Sequence, residues 1–425
     1  MTSRINSFVK KYISVRDREI IKNYKIYIFL QKLFRPNLYD KALGEWTYAK
    51  RNNPNSVLLK NKAGINIIGF LNSSTGLGNA AHNSAQALET TNILVNSINF
   101  EVAAIKKNKT LDSERSSAFK FDINLIHVNP PEYHELWRQF GTSLARYNIG
   151  VWYWELTDLP DHWLKCFDVL DEIWVATRFV QETIQKKSPI PVIKISPCIQ
   201  VELDLSLTRN DFNLLDGTFL FLSAYDVHSV SERKNPLATI DAFKRAFTAK
   251  NMDVGLVMKV RNSNHDRDFI NQIKRELRGY PNCYLIEESF SKIQFNTLLN
   301  LVDAYISLHR SEGFGLIPAE SMSLGKPVVM TNWSGNTDFM NPDNSCGVNY
   351  RLIPVKPGVP FYEAGKLWAD PDISHAVELM QSLFYDRAYY QKISSNAKEY
   401  IQYNLSPQKI GITMKQRLQT ITGEK

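Results

Sequence analysis

Cysteine is scarce in this chain of 425 residues: only Cys166, Cys198, Cys283 and Cys346 occur, and they lie far apart. None forms the close pairs that ligate zinc, so free thiols in a cytoplasmic protein are the plain reading. Long apolar runs are missing as well. No stretch approaches the roughly 18–20 apolar residues that span a bilayer. The opening "MTSRINSFVKKYISVRDREI" lacks the apolar core and cleavage site of a secretory leader. A basic folded body is also absent, although the net charge is +8. Residues 1–60 hold thirteen Lys or Arg against four Asp or Glu, while the remainder holds 38 against 39. Nucleic-acid-binding domains carry their cations on the folded body, so this distribution argues against nucleic acid as the main ligand.

What is present is globular: 44% apolar and 22% charged residues, with no close repeat and no low-complexity tract. The length predicts two domains. Strand-like runs alternate with helical patterns through "INIIGF", "ILVNSINF", "INLIHV", "NIGVWYW", "EIWVA" and "PVIKIS". The polar stretch "QVELDLSLTRNDFNLLDG" then reads as a linker. Alternation resumes with "TFLFLSAY", "DVGLVMKV", "NCYLIEE", "DAYISLHR" and "KPVVMT", and the last stretch, about Pro371 to Ile421, reads as helices with no strand candidate. Such alternation marks doubly wound α/β domains. We expect a basic helical arm over 1–60, a Rossmann-like domain over 61–200, and a linker over 201–216. A second Rossmann-like domain over 217–385 and helices over 386–425 would follow, the helices crossing back to the first domain as one option. A ligand cleft would lie between the domains, at the carboxyl ends of the strands.

Candidate chemistry gathers at those strand ends. Gly76 and Gly78 follow the first strand, where missing side chains let backbone N–H groups approach an anion; a purely geometric turn is the competing reading. The third glycine of the dinucleotide fingerprint is missing, which argues against a nicotinamide cofactor. In the second half, Arg233 and Lys234 precede Asn235-Pro236 at a helix start, where they can neutralise a diphosphate or simply be solvated. Lys259 ends the next strand. The richest stretch is "EGFGLIPAESMSLGKPVV", residues 312–329, with Glu312 before a glycine turn and Glu320 inside the helix that follows. Its carboxylates can accept hydrogen bonds from sugar or ribose hydroxyls, and the N–H groups of Gly313, Phe314, Gly315 and Leu316 can donate to phosphate. On the first half, His127 and Glu155 end strands; a backbone group can equally satisfy that histidine, and Glu155 can orient an acceptor hydroxyl. Trp152 and Trp154 read as core, and "NWSGNTDF" (332–339) should border the ligand. The "DRD" at Asp266–Asp268 reads as a helix start, so no metal and no other cofactor is assigned.

"EGFGLIPAE", with an upstream "RKNP" and an N-terminal "GLG", resembles the retaining nucleotide-sugar glycosyltransferases of family 4, which have the GT-B fold. "GVWYWELTDLPDHW…DEIWVATRFV" resembles one branch of that family. The likeness runs from about Gly64 to the last helices. It implies that Glu312 holds donor-sugar hydroxyls and Glu320 the ribose. It further implies that Lys234, with Arg233, neutralises the diphosphate, assisted by the Gly76–Gly78 loop, and that His127 lies near the acceptor. The implied enzyme is a hexosyltransferase that moves sugar from a nucleotide-diphosphate sugar to a glycan or lipid-linked acceptor, as in cell-surface polysaccharide assembly. One departure stands out: where many members carry a "G-R" pair, this chain has Ala224 and Tyr225, which shifts weight onto Arg233, Lys234 and Lys259. An epimerase-like enzyme on the same fold and a catalytically silent binding subunit are the alternatives. In the arm, Ile5, Phe8, Val9, Tyr12 and Ile13 share one helical face. Residues 1–35 therefore read either as a contact with an anionic membrane surface, on the inner face of the cell membrane, or as a segment packed on protein.

Overall fold

The computed structural model describes residues 36–53, 64–73, 75–102 and 119–423. Residues 1–35, with the helical face expected to meet a membrane, lie outside the described residues. The first sheet contains β1 (Gly64–Gly69), β2 (Leu94–Asn99), β3 (Ile123–His127), β4 (Tyr147–Trp152), β5 (Glu172–Val175) and β6 (Val192–Lys194). Their order is β2-β1-β3-β4-β5-β6, all parallel. The second contains β7 (Phe219–Asp226), β8 (Val254–Arg261), β9 (Cys283–Ile286), β10 (Ala304–Ser307), β11 (Val328–Thr331) and β12 (Cys346–Val348). Its order is β12-β11-β10-β7-β8-β9, again parallel. Helices cover both faces, so strands such as β1 and β8 are near-continuous apolar runs. In each sheet the strand order reverses beside the first strand, between β1 and β3 and between β7 and β10. These switch points open toward each other across the interdomain cleft.

The register of the first sheet is held by a row of asparagines, Asn96 half-buried and Asn66, Asn124 and Asn148 fully buried. Asn96 donates to Asn66, Asn66 to Asn124 and Asn124 to Asn148, each at 2.9 Å. Asn66 is the register partner of both Asn96 and Asn124, and Asn124 that of Asn148. Asn148 closes the row by donating to Leu144 O and Val169 O at 2.8 and 2.9 Å. A slip of one residue would strand every amide in an apolar layer.

One feature departs from the strand-and-helix reading. A hairpin of β13 (Tyr350–Pro354) and β14 (Leu367–Pro371) belongs to neither sheet. Most of β13 is exposed, so no alternation betrays it in the sequence. Its connection, residues 355–366, reaches the first domain. The helix Pro36–Arg51, within the arm read as helical, packs on the first domain: Trp46 is fully buried against Tyr133 and Trp137, and Lys50 pairs with Asp171 at 2.5 Å. At the far end, the helix Pro407–Thr422 packs on the helix Gly76–Glu89, where Gly411 lies so close to Ala87 O that a Cβ would sit 2.1 Å away. Arg417 of that helix pairs with the fully buried Glu172.

Asn124→Leu should lower the urea midpoint by the equivalent of about 1–3 kcal/mol, because Asn148 Oδ1 would be left buried without a donor. An unchanged midpoint would show that the row does not stabilise the sheet.

Candidate active site

The cleft encloses a cavity of about 1630 Å³, lined by residues of both domains. Its floor is the loop after β10. Glu312 N donates to the Ser334 hydroxyl oxygen at 2.8 Å, and Gly335 N donates to Glu312 O at 2.9 Å. Gly335 lies directly behind the loop: a Cβ there would meet Gly313 O at 2.3 Å and Glu312 O at 2.8 Å. From the first domain, Thr177 donates to Gly313 O at 3.1 Å. Gly315, at φ +101°, turns the chain into the helix Leu316–Ser323, which Pro318 enters in its first turn.

Two cations meet Glu312 from above. The turn Ser231–Lys234 is framed by Val230 at φ +66° and Asn235 at φ +51°. Positive φ is strained for a β-branched residue. Asn235 secures the turn by donating to Leu308 O at 2.9 Å. Lys234 Nζ thereby bonds Glu312 Oε1, and Arg233 Nη1 lies 3.3 Å from Glu312 Oε2. Arg233 also donates to Ser311 O at 2.8 Å and stands 3.7 Å from Glu155. Burial alone would raise the Glu312 pKa, but Lys234 and Arg233 overcome it and hold the carboxyl at about 2. Burial also pulls Lys234 below the usual lysine range, against the attraction of Glu312. Burial would lower the Arg233 pKa, but the Glu155 and Glu312 carboxylates beside it keep the guanidinium cationic.

Glu320, 4% exposed, takes Lys292 Nζ on Oε1 at 2.6 Å. Its buried Oε2 has no hydrogen-bond partner among the described residues. Lys259 also lines the cavity, donates to Glu288 O at 2.7 Å and lies 4.8 Å over the Phe290 ring. Burial brings its pKa down to about 8. Gly313, Phe314, Gly315, Leu316, Gly76 and Glu155 all face the same space.

Three expectations are corrected. His127 does not reach the cavity: it is 1% exposed, neither ring nitrogen has a hydrogen-bond partner among the described residues, and burial drives its pKa to about 3. Gly78 does not face it either. Its N–H is taken by Thr75 Oγ1 at 3.3 Å, and a Cβ would strike Ser73 O at 2.2 Å, so this glycine serves helix packing. Residues 332–339 lie behind the Glu312 loop as its support rather than along the cavity. Asp266 caps its helix, as its position suggested. Among the described residues, no group of three His, Cys, Asp or Glu could hold a metal ion, and no helix is long and apolar enough to cross a membrane.

Sequence reasoning missed Lys292, Ser334 and Tyr362. Ser291 and Gln294 form a capping box that marks the helix start at Lys292, but not the partner of that lysine. Tyr362 sits in a Pro- and Gly-rich connection with no periodicity to read.

Gly335→Ala should destabilise the chain by about 1–3 kcal/mol through overpacking against the Glu312 loop. Gly44→Ala, whose Cβ meets nothing within 4 Å, should be neutral or stabilising in the same thermal melts. Equal melting temperatures for the two variants would refute the tight contact.

Comparison with known proteins agrees with this architecture. Residues 224–400 match the family described as glycosyl transferases group 1. No curated protein matches the chain. Among solved structures, Anabaena HepE in complex with UDP-glucose is similar at TM-score 0.63 and 14% identity, covering 84% of this chain and 99% of that one. A glycosyltransferase from Rickettsia africae gives 0.61 and 14%, covering 86% and 100%. Sucrose-phosphate synthase from Thermosynechococcus elongatus gives 0.61 and 13%, covering 85% and 99%. The fold is thus that of the GT-B glycosyltransferases, and the domain holding Glu312, Glu320 and Lys234 is the part similar to glycosyl transferases group 1.

Proposed function

We propose that this chain is a retaining glycosyltransferase of family 4 type. It would move a hexosyl group from a nucleotide-diphosphate sugar to a glycan or lipid-linked acceptor. The observation that carries the reading is the arrangement of Glu312, Lys234, Arg233 and Glu320 on one wall of a cleft between two nucleotide-binding-type domains. The similarity of residues 224–400 to glycosyl transferases group 1 supports it.

In this reading the ribose diol meets Glu320, whose Oε2 accepts no other hydrogen bond among the described residues. The donor sugar hydroxyls meet Glu312. Cleavage of the C1–O bond to the diphosphate leaves negative charge on the departing phosphate. Lys234, Arg233 and Lys259, with backbone N–H groups of the Gly313–Leu316 turn, stabilise that charge as it develops. We assign the neutralisation to these side chains without a divalent ion. The acceptor oxygen attacks C1 from the face the phosphate leaves, and its proton passes to a phosphate oxygen, which gives retention. Glu155 faces this acceptor from the first domain. Enclosure by both domains keeps water from the donor.

A panel of nucleotide sugars should raise the melting temperature selectively, since only a ligand of the folded state stabilises by mass action. Lys234→Ala should weaken nucleoside diphosphate binding by roughly ten- to a hundredfold, the worth of a charge-assisted hydrogen bond. Free nucleoside should bind as to the unaltered chain. Equal losses for both ligands would remove the lysine from the phosphate site.

For the arm, we propose that residues 1–35 contact anionic lipid at the inner face of the cell membrane, which suits an acceptor built on a lipid during polysaccharide assembly. Salt-sensitive co-sedimentation with anionic liposomes is expected for the full chain and not for one starting at Pro36. Retention of both forms in the supernatant at low salt would refute it.

A further inference from the structure

The connection between β13 and β14 crosses the cleft. It leaves the second domain, where Ala369 N donates to Arg310 O at 2.9 Å and Arg310 pairs with Asp370 at 3.3 Å. On the first domain, Tyr362 packs between Trp154 and Trp368, with ring centroids 5.7 and 6.0 Å away. Its hydroxyl donates to Glu155 Oε2 at 3.1 Å. Lys366, four residues on, pairs with Asp158 of the same first-domain loop. The neighbouring Phe361 holds φ +68° and lines the cavity with Gly358 and Pro360. That strained residue turns one aromatic ring toward the cavity and the next into the interdomain core.

Glu155 is thus gripped at both oxygens: Oε2 by Tyr362, and Oε1 by Arg233 at 3.7 Å. Arg233 in turn reaches Glu312 at 3.3 Å. One continuous chain of polar contacts therefore runs from the hairpin through the acceptor-side carboxylate to the donor-side one. Its first link exists only while the hairpin touches the first domain.

We propose that Tyr362 is a positioning residue, which the hairpin delivers across the cleft to hold the Glu155 carboxylate against Arg233 and so set the acceptor wall. Burial raises the Tyr362 pKa well above the ordinary phenol value, so the hydroxyl stays a donor throughout the working range. The role rests on the glycosyltransferase reading above, because only an acceptor gives Glu155 a task.

The test uses the full chain and Tyr362→Phe, which keeps the ring between Trp154 and Trp368 and removes only the hydroxyl. The nucleotide sugar of the panel that binds the unaltered chain serves as donor probe, and methyl glycosides as acceptor probes. Tyr362→Phe should bind donor as before in calorimetry and should melt within about a degree of the unaltered chain, since the packing is retained. It should lose roughly tenfold in acceptor-dependent release of nucleoside diphosphate, with the acceptor KM raised. Glu155→Gln should show the same pattern, and the double variant should lose no more than the worse single one, as coupled residues do. Acceptor-dependent release at the original rate, losses that multiply, or an equal loss of donor affinity would each overturn the proposal. If no nucleotide sugar of the panel binds, the glycosyltransferase reading fails by itself. A ligand-free readout still decides the contact: the fluorine resonance of 3-fluorotyrosine at position 362 should shift on Glu155→Gln, and an unmoved resonance overturns the positioning role.

Discussion

Glu312 is a nearly buried carboxylate held between Lys234 and Arg233, and the rest of the site is built around that cluster. Removing either kind of charge alone would leave the other uncompensated in a low-dielectric cleft, which costs far more than an exposed pair contributes. Because the Glu312 pKa sits at about 2, the carboxylate remains ionised at neutral pH. A depressed carboxylate contributes stability that is present above its unfolded value and is lost only as pH falls toward the folded one. The cluster also explains the local strain. Val230 and Asn235 hold positive φ at either side of the turn that aims both cations, and Gly335 lets the loop bearing Glu312 settle where any side chain would push it away.

The cluster brings the two domains together as well as lining the cavity. Thr177 reaches Gly313, Ser311 reaches the backbone of Glu155, and Tyr362 reaches its carboxylate. The helix Pro407–Thr422 returns to the first domain and seats Arg417 on Glu172. Cleft geometry is thereby tied to contacts that cross between domains at several points, and a displaced hairpin would be felt at the Glu155 carboxylate.

Most strands were legible in the sequence because parallel strands buried on both faces are continuous runs of Ile, Val and Leu. "INIIGF", "INLIHV" and "VGLVMKV" coincide with β1, β3 and β8. The helix that follows the glycine turn was legible from turn chemistry, and Gly315 does hold positive φ. β12 was too short to signal itself, and β13 is too exposed to show a periodic pattern. His127 misled because a strand-end position says nothing about depth; the ring is covered and does not line the cavity.

By itself the sequence determined the alternation of strands and helices, the two-domain layout it implies, and the grouping of Glu312 and Glu320 around one turn. These follow from periodicity and backbone chemistry, which act over a few residues. Only the tertiary structure decided which charges meet: Arg233 with Glu312 across 79 positions of chain, Lys292 with Glu320, and Tyr362 with Glu155 across 207. Such pairs depend on how sheets stack and where a hairpin lands. No local pattern encodes them, because the electrostatic and packing terms that select them exist only once the chain has folded.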